Sequence, residues 1–237
     1  MLVLALDTCD SRGSVAILRD DCLLGVEIHD NPEDYSAWLL PAVRRLLDTQ
    51  RLSLAEFSLY AVASGPGSFT GVRVGLTTVK AWSEVYGQPI AALSRLEALA
   101  TYTSSRSPFV AVFTDAQRSQ LFGALYRREA HGLQRVEEEV VITPERFLDC
   151  VIGTVGVQRV EWISPDPKCI VATPPWASRM ALAETIHVIS PVLAPAVGRL
   201  GYRLAQEQRL TDALSLDANY VRRSDAELLW KGAFGSR

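Results

Sequence analysis

Apolar positions along the first ninety residues change period several times, and each change marks an element. Residues 2–6 (LVLAL) form a continuous apolar run ended by Asp7, residues 14–18 (SVAIL) alternate after a Gly-Ser turn, and residues 23–28 (LLGVEI) follow a second short polar break. Runs of this length with short connections predict a meander of three neighbouring strands. The period then becomes helical. Leu39, Leu40, Val43, Leu46 and Leu47 predict a helix over 32–49, with Asn31 as its cap, Pro32 in the first turn and Glu33 and Asp34 near its positive end. Pro41 inside this helix removes one backbone hydrogen bond and is expected to bend it. Residues 58–64 read as a buried strand, 69–86 as a helix stopped by Gly87, and 89–93 as another strand. The resulting βββαβαβ order needs a crossover, and so a sheet that is parallel in that part and covered by helices.

The second half starts the same way. FVAVFTDAQRSQLFGALY (109–126) repeats strand, acid, polar turn, strand, with Asp115 in the place of Asp7. An extended segment at 138–142, a capped helix from Thr143, strand-like stretches near 151–155 and 169–172, and helices over 178–189 and 193–210 follow. The chain reads as two degenerate copies of one supersecondary unit. The boundary is expected in the Ser/Thr cluster ATYTSSR, giving a first lobe over 1–103 and a second over 104–237 that carries the terminal helices and a polar tail.

Composition removes several classes of function. Cys9, Cys22, Cys150 and Cys169 are widely spaced, with no C-x-x-C pair and no histidine at ligand spacing, so they read as reduced, mostly buried thiols and not as zinc ligands or disulfides. A net charge of -3 supplies no global field for nucleic acid, although Arg44–Arg45 and Arg222–Arg223 are local basic pairs. The opening MLVLALDT lacks the basic flank and cleavage site of a signal peptide, and no run approaches the roughly 18 apolar residues of a membrane span, so a cytoplasmic protein is expected.

The chemistry centres on SGPGSFTG (64–71), a glycine-rich turn entering a helix. Backbone N–H groups there, with Gly67, Ser68 and Thr70, form a candidate anion site. A P-loop needs Lys and then Ser or Thr after its second glycine, whereas Ser68 and Phe69 follow Gly67. A nucleophile elbow needs glycines two residues either side of the serine, where Pro66 and Thr70 stand. His29, His131 and His187 lie in unrelated contexts and offer no paired base. Within the following helix, Gly71 and Gly75 each cost about 1 kcal/mol relative to alanine, which calls for a close approach by other backbone. Val72, Leu76 and Val79 line one side and Val74, Trp82 and Val85 another. A helix apolar on two sides is buried on both, here against its own sheet and against a second helix, either 32–49 or a partner's. Asp7 and Asp115 each end a first strand, where a carboxylate either holds a metal or phosphate-bound water in the cleft or caps its own turn.

LALDTCDSRGSVAIL, ASGPGSFTGVRVGLTTVKA, TDAQRSQLFGALY and NYVRRSDAE together resemble the TsaB family of bacterial tRNA threonylcarbamoyladenosine biosynthesis proteins, most strongly over the first 125 residues. The resemblance implies an α/β, actin-like ATPase fold (the ASKHA, RNase H-like class) with two βββαβα-type lobes. It also implies an accessory subunit with no catalytic residues, intrinsic cofactor or metal of its own. Such a subunit pairs with its catalytic relative TsaD as a heterodimer through helices of the first lobe, and the ATPase TsaE joins them. TsaD transfers threonylcarbamoyl from threonylcarbamoyl-AMP to N6 of the adenosine beside the anticodon in tRNAs reading codons that begin with A. The catalytic relative carries a metal-holding H-x-x-x-H pair on its first long helix. Here DYSAWLLPAVRRLL has no histidine, so the older glycoprotease label of the family has no support. Carried onto this chain, the partner contacts are Leu39, Leu40, Val43, Gly71, Val72, Gly75, Leu76 and Val79. The chain departs from the family at LDANYVRR, which lacks the usual proline before the tyrosine. Two other readings stand beside this one: an independent actin-fold kinase or ATPase using Asp7, Asp115 and the loop, and a tRNA-binding module, which the acidic balance disfavours. A homodimer in the absence of TsaD, and nucleotide at the seam between subunits, are left open.

Overall fold

The computed structural model describes residues 1–30, 33–130 and 132–221. The cap at Asn31, Pro32, His131 and the Arg222–Arg223 pair lie outside the described residues. The opening apolar run becomes β1 (Leu2–Asp7), with β2 (Ser14–Arg19) antiparallel beside it and β3 (Cys22–Ile28) antiparallel to β2. After α1 (Tyr35–Gln50) the chain enters β4 (Leu59–Ala63), then α2 (Phe69–Tyr86), then β5 (Ile90–Leu93). Both later strands join parallel on the far side of β1, giving the order β3-β2-β1-β4-β5. α3 (Arg95–Ala100) then leads to the second sheet.

That sheet has the same plan. β6 (Phe109–Asp115) and β7 (Leu121–Glu129) are antiparallel, and β8 (Gly132–Arg135) and β9 (Val140–Ile142) both pair with β7. α4 (Pro144–Val155), β10 (Val160–Ser164), the short α5 (Lys168–Val171) and α6 (Pro174–Met180), and β11 (Ile186–Val188) complete the order β11-β10-β6-β7-β8. The chain therefore has the actin-like fold of two related lobes. The last described helix, α7 (Ala194–Gln206), does not stay with the second sheet. It packs on β1, β2, β4 and β5, while α3 packs on β6, β7 and β10, so the last helix of each lobe crosses to the sheet of the other. Strand register explains how α7 fits. Ala16, Ala5, Ala61 and Ala91 are consecutive partners across β2, β1, β4 and β5, and Gly198 and Gly201 of α7 lie against this row. Small side chains on both surfaces let the helix approach closely.

Several sequence expectations need correction. α1 begins at Tyr35 with Asp34 as its cap residue, and that carboxylate makes no capping hydrogen bond. Residues 151–155 end α4, and 169–172 fall in α5 and its cap; neither is a strand. Only the start of 178–189 is helical, because α6 stops at Met180 and β11 follows. Cys22 and Cys150 are exposed, unlike Cys9. β10 escaped notice because its sequence, VEWIS, carries a carboxylate inside a buried strand. Glu161 accepts hydrogen bonds from the backbone of Ser104 at 2.8 Å and Ser105 at 3.2 Å and from the Thr103 hydroxyl, so this strand anchors the Ser/Thr connection between lobes. Among the described residues no helix is long and apolar enough to cross a membrane.

Candidate functional site

The two lobes meet at a cleft of about 710 Å³ whose lining includes Cys9, Asp10, Gly67, Ser68, Arg95, Asp115 and Tyr220. Its first wall is the glycine loop, where each glycine makes room for the chain itself. Gly65 has φ +117°, which only glycine adopts readily, and a side chain there would strike the Asn219 carbonyl. A Cβ at Gly67 would lie 2.2 Å from the Cys9 carbonyl oxygen, and one at Gly71 2.0 Å from that of Thr8. The Ser68 N–H donates to the Cys9 carbonyl at 2.7 Å, and the Ser68 hydroxyl caps α2 by accepting from the Gly71 N–H at 3.4 Å. Thr8 closes the contact, its hydroxyl donating to the Gly71 carbonyl at 2.7 Å and lying 2.5 Å from where a Cβ of Gly75 would be. The close approach that the glycines require is thus to the turn after β1, not to a second helix.

The floor of the cleft is a chain of charges. Asp7 is fully buried and accepts from the Cys9 N–H at 3.0 Å, capping its turn, and from Arg95 Nε at 3.1 Å. Arg95, only 1% exposed, donates through Nη2 to Asp10 at 3.1 Å and through Nη1 to the Thr114 hydroxyl at 3.4 Å. Arg12 continues the series, reaching Asp10 at 2.6 Å and Asp166 at 2.9 Å. Asp166 in turn accepts from the Thr114 hydroxyl at 2.8 Å and the Asp115 N–H at 3.1 Å. Asp115 itself is exposed and caps its turn, accepting from the Gln117 N–H at 2.7 Å and its side-chain amide at 3.0 Å. Electrostatics follow the geometry. Burial pushes the Asp10 carboxyl up, but Arg95 and then Arg12 outweigh it and hold the group down at about 2. Burial works against the Arg95 charge, yet Asp7 and Asp10 keep its guanidinium more firmly protonated than in water. Burial, aided by Asp7, raises the Cys9 thiol well above its usual range, so it is not poised as a nucleophile.

These residues do not fit a metal-bound nucleotide. The two strand-end acids already have protein partners, Arg95 lies between the buried carboxylates, and Gly67 and Gly71 are filled by the chain's own carbonyls. The structure brings Asp7, Asp115, Gly67 and Ser68 of the residues expected from sequence to this cleft, and with them Arg95, Asp10, Arg12 and Asp166, which were not expected; Thr70 is exposed on α2 and borders a groove with α1 instead. The available signal was local: Ser94 caps α3 by accepting from Leu96 and Glu97 N–H groups at 3.0 and 3.4 Å, which places Arg95 at the first helical position facing the cleft.

A second surface lies outside the cleft. α1 and α2 border a groove of about 540 Å³ lined by Tyr35, Leu39, Leu40, Phe69, Arg73 and Val74. Of the eight partner contacts expected from sequence, only Leu40 is exposed, at 56%. Leu39, Val43, Val72, Leu76 and Val79 are buried in the core of the first lobe, and Gly71 and Gly75 against Thr8. Phe69 at one end of the groove stacks on Tyr220, with ring centroids 5.1 Å apart, and Arg73 lies 3.7 Å from the Phe69 ring centroid while its Nε donates to the Tyr220 hydroxyl at 3.0 Å.

Comparison with known proteins agrees with this architecture. Residues 29–162, more than half of the chain, match the family model described as TsaD, tRNA N6-adenosine threonylcarbamoyltransferase. The TsaB protein of Bacillus subtilis (strain 168) is 34% identical over 136 residues, covering 57% of this chain and 59% of that protein. TsaB of Escherichia coli (strain K12) is 30% identical over 148 residues, covering 61% and 64%. The chain thus spans about three fifths of the length of these curated relatives. A solved Pseudomonas aeruginosa structure, described as similar to peptidase YEAZ, superimposes with a TM-score of 0.72 at 25% identity, covering 93% of this chain and 99% of that one. By sequence over more than half its length and by fold over nearly all of it, the chain belongs to the family that the TsaD model describes and, within it, to the TsaB proteins.

Proposed function

We propose that this chain is the non-catalytic subunit that TsaD requires, with the ATPase TsaE, for threonylcarbamoyl transfer to N6 of the adenosine beside the anticodon. The observation that carries this reading is the α1–α2 groove: an apolar, two-helix surface with Leu40 exposed at its rim, on the lobe whose cleft is filled by its own Arg95. Such a surface suits an apolar helix face of a partner. In this reading tRNA is engaged through the assembled complex, and nucleotide is handled by TsaE or at the seam between subunits. The same groove would support a homodimer when TsaD is absent. An independent kinase or ATPase gains no support from a cleft whose acids are already paired.

Leu40→Glu tests the proposal. An exposed helical position tolerates the change within about 0.5 kcal/mol, so the thermal melt should hold. Co-purification with TsaD and modification of tRNA in a reconstituted system should both be lost. Undiminished co-purification would sink the assignment of this face.

A further inference from the structure

Three buried or half-buried carboxylates and two guanidiniums share the cleft floor, and one of them stands at its centre. Arg95 is nearly inaccessible, and its three nitrogens point to three different elements: Nε to Asp7 at the end of β1, Nη2 to Asp10 in the following turn, and Nη1 to Thr114 of β6 in the other lobe. The Arg95 backbone N–H donates to the Gly65 carbonyl at 2.7 Å, so the residue also fixes the glycine loop.

We propose that Arg95 is a built-in cation. It occupies the place where Asp7 and Asp10 would otherwise gather a divalent metal ion, and through Thr114 it fastens the two lobes together across the cleft. The donor set supports this. Without the guanidinium, Asp7 Oδ2, Asp10 Oδ2 and Thr114 Oγ1 would face one space with hard oxygen atoms alone, the ligand type that Mg²⁺ and Ca²⁺ take. Charge supports it as well. With both arginines present the five charged groups sum to a single negative charge, and loss of Arg95 leaves two, which a divalent ion matches. A planar guanidinium with fixed donors satisfies several acceptors at once, where a hydrated ammonium would not. An ordinary structural ion pair makes a different prediction, since its loss would destabilise the protein without creating a site for anything.

The experiment is thermal unfolding of the full chain as wild type, Arg95→Met and Arg95→Met/Asp7→Asn, each in EDTA and in about 5 mM Mg²⁺ or Ca²⁺. Wild type should be indifferent to the ions. Arg95→Met should melt roughly 10 °C lower in EDTA and recover by about 4 °C with Mg²⁺ or Ca²⁺, as expected for ligand at about ten times Kd. The double variant, lacking one carboxylate, should show no recovery. If Arg95→Met does not fold in EDTA, refolding from urea should yield native protein only with the divalent ion. An Arg95→Met protein that responds to neither ion in either assay, or a wild type stabilised by Mg²⁺, would overturn the proposal. Because no partner is present, failure here leaves the docking of TsaD on the groove untouched, and the reverse also holds.

Discussion

The two lobes share a strand order and differ in what joins their parallel strands. In the first, β4 passes through the glycine loop into the 18-residue α2 before β5. In the second, β10 passes through Asp166 into α5 and α6, of four and seven residues, before β11. Prolines 165, 167, 174 and 175 divide that second crossover, and each removes a backbone donor from helix continuation. The first crossover has no proline between Pro66, before α2, and Pro89, after it, and its glycines let a long helix settle on the turn after β1. One strand order therefore yields two different surfaces. The first lobe carries a continuous helical face, the one proposed above to receive a partner, and the second sends Asp166 across the cleft to Arg12.

Glycine substitutions would break this comparison most sharply. Gly71→Ala drives a Cβ to 2.0 Å from the Thr8 carbonyl oxygen, and neither backbone can yield without moving α2 or β1. Gly123→Ala on β7 meets the Phe147 ring at 2.5 Å, a side chain that can turn aside. The first should cost at least about 3 kcal/mol and the second about 1–2 kcal/mol in urea unfolding. The opposite ranking would mean that α2 is not seated on Thr8 as described.

Acid should act next, on the charges between lobes. The Asp10 carboxyl is held at about 2 in the folded chain, below its ordinary 3.8. Between those values the unfolded chain binds the proton more readily, so the contribution is complete above about pH 4 and is lost as pH falls through about 2. Its size is about 2 kcal/mol. Urea midpoints of wild type and Asp10→Asn, followed from pH 5 to 2, should converge as pH falls. Parallel curves would show that Arg95 and Arg12 do not hold this carboxylate. Glu161 in the second lobe is also held below its ordinary value, so some acid sensitivity remains in the variant.

Much of the first lobe was legible because its strands are unbroken apolar runs and α2 starts and stops at Phe69 and Gly87, both marked by their neighbours. The cost of Gly71 and Gly75 in a helix announced a close approach, but periodicity could not say that Thr8, more than sixty residues earlier, makes it. Arg95 was missed for a similar reason. In LSRLEALA it reads as one charge on a short helix, and its carboxylate partners lie 85 and 88 residues away. The position of α7 depends on a row of alanines that lines up only after four strands are in register. Burial of Glu161 hid β10, because a carboxylate satisfied by distant backbone looks like an exposed one. In each case the deciding partner is remote in sequence.

The smallest effect tests the second lobe alone. Gly153 lies inside α4 with nothing within 4 Å of where a Cβ would point, and its φ is not among the positive ones. Alanine there restricts the unfolded chain and suits the helix, so Gly153→Ala should stabilise by about 0.5–1 kcal/mol. A glycine in the α2 helix of the first lobe cannot be replaced this way, because Thr8 occupies the space. A raised urea midpoint with unchanged slope would establish that the second lobe keeps this glycine without a packing need. A loss of stability would mean that the outer face of α4 is covered in solution, and the search for a second docking surface would begin there.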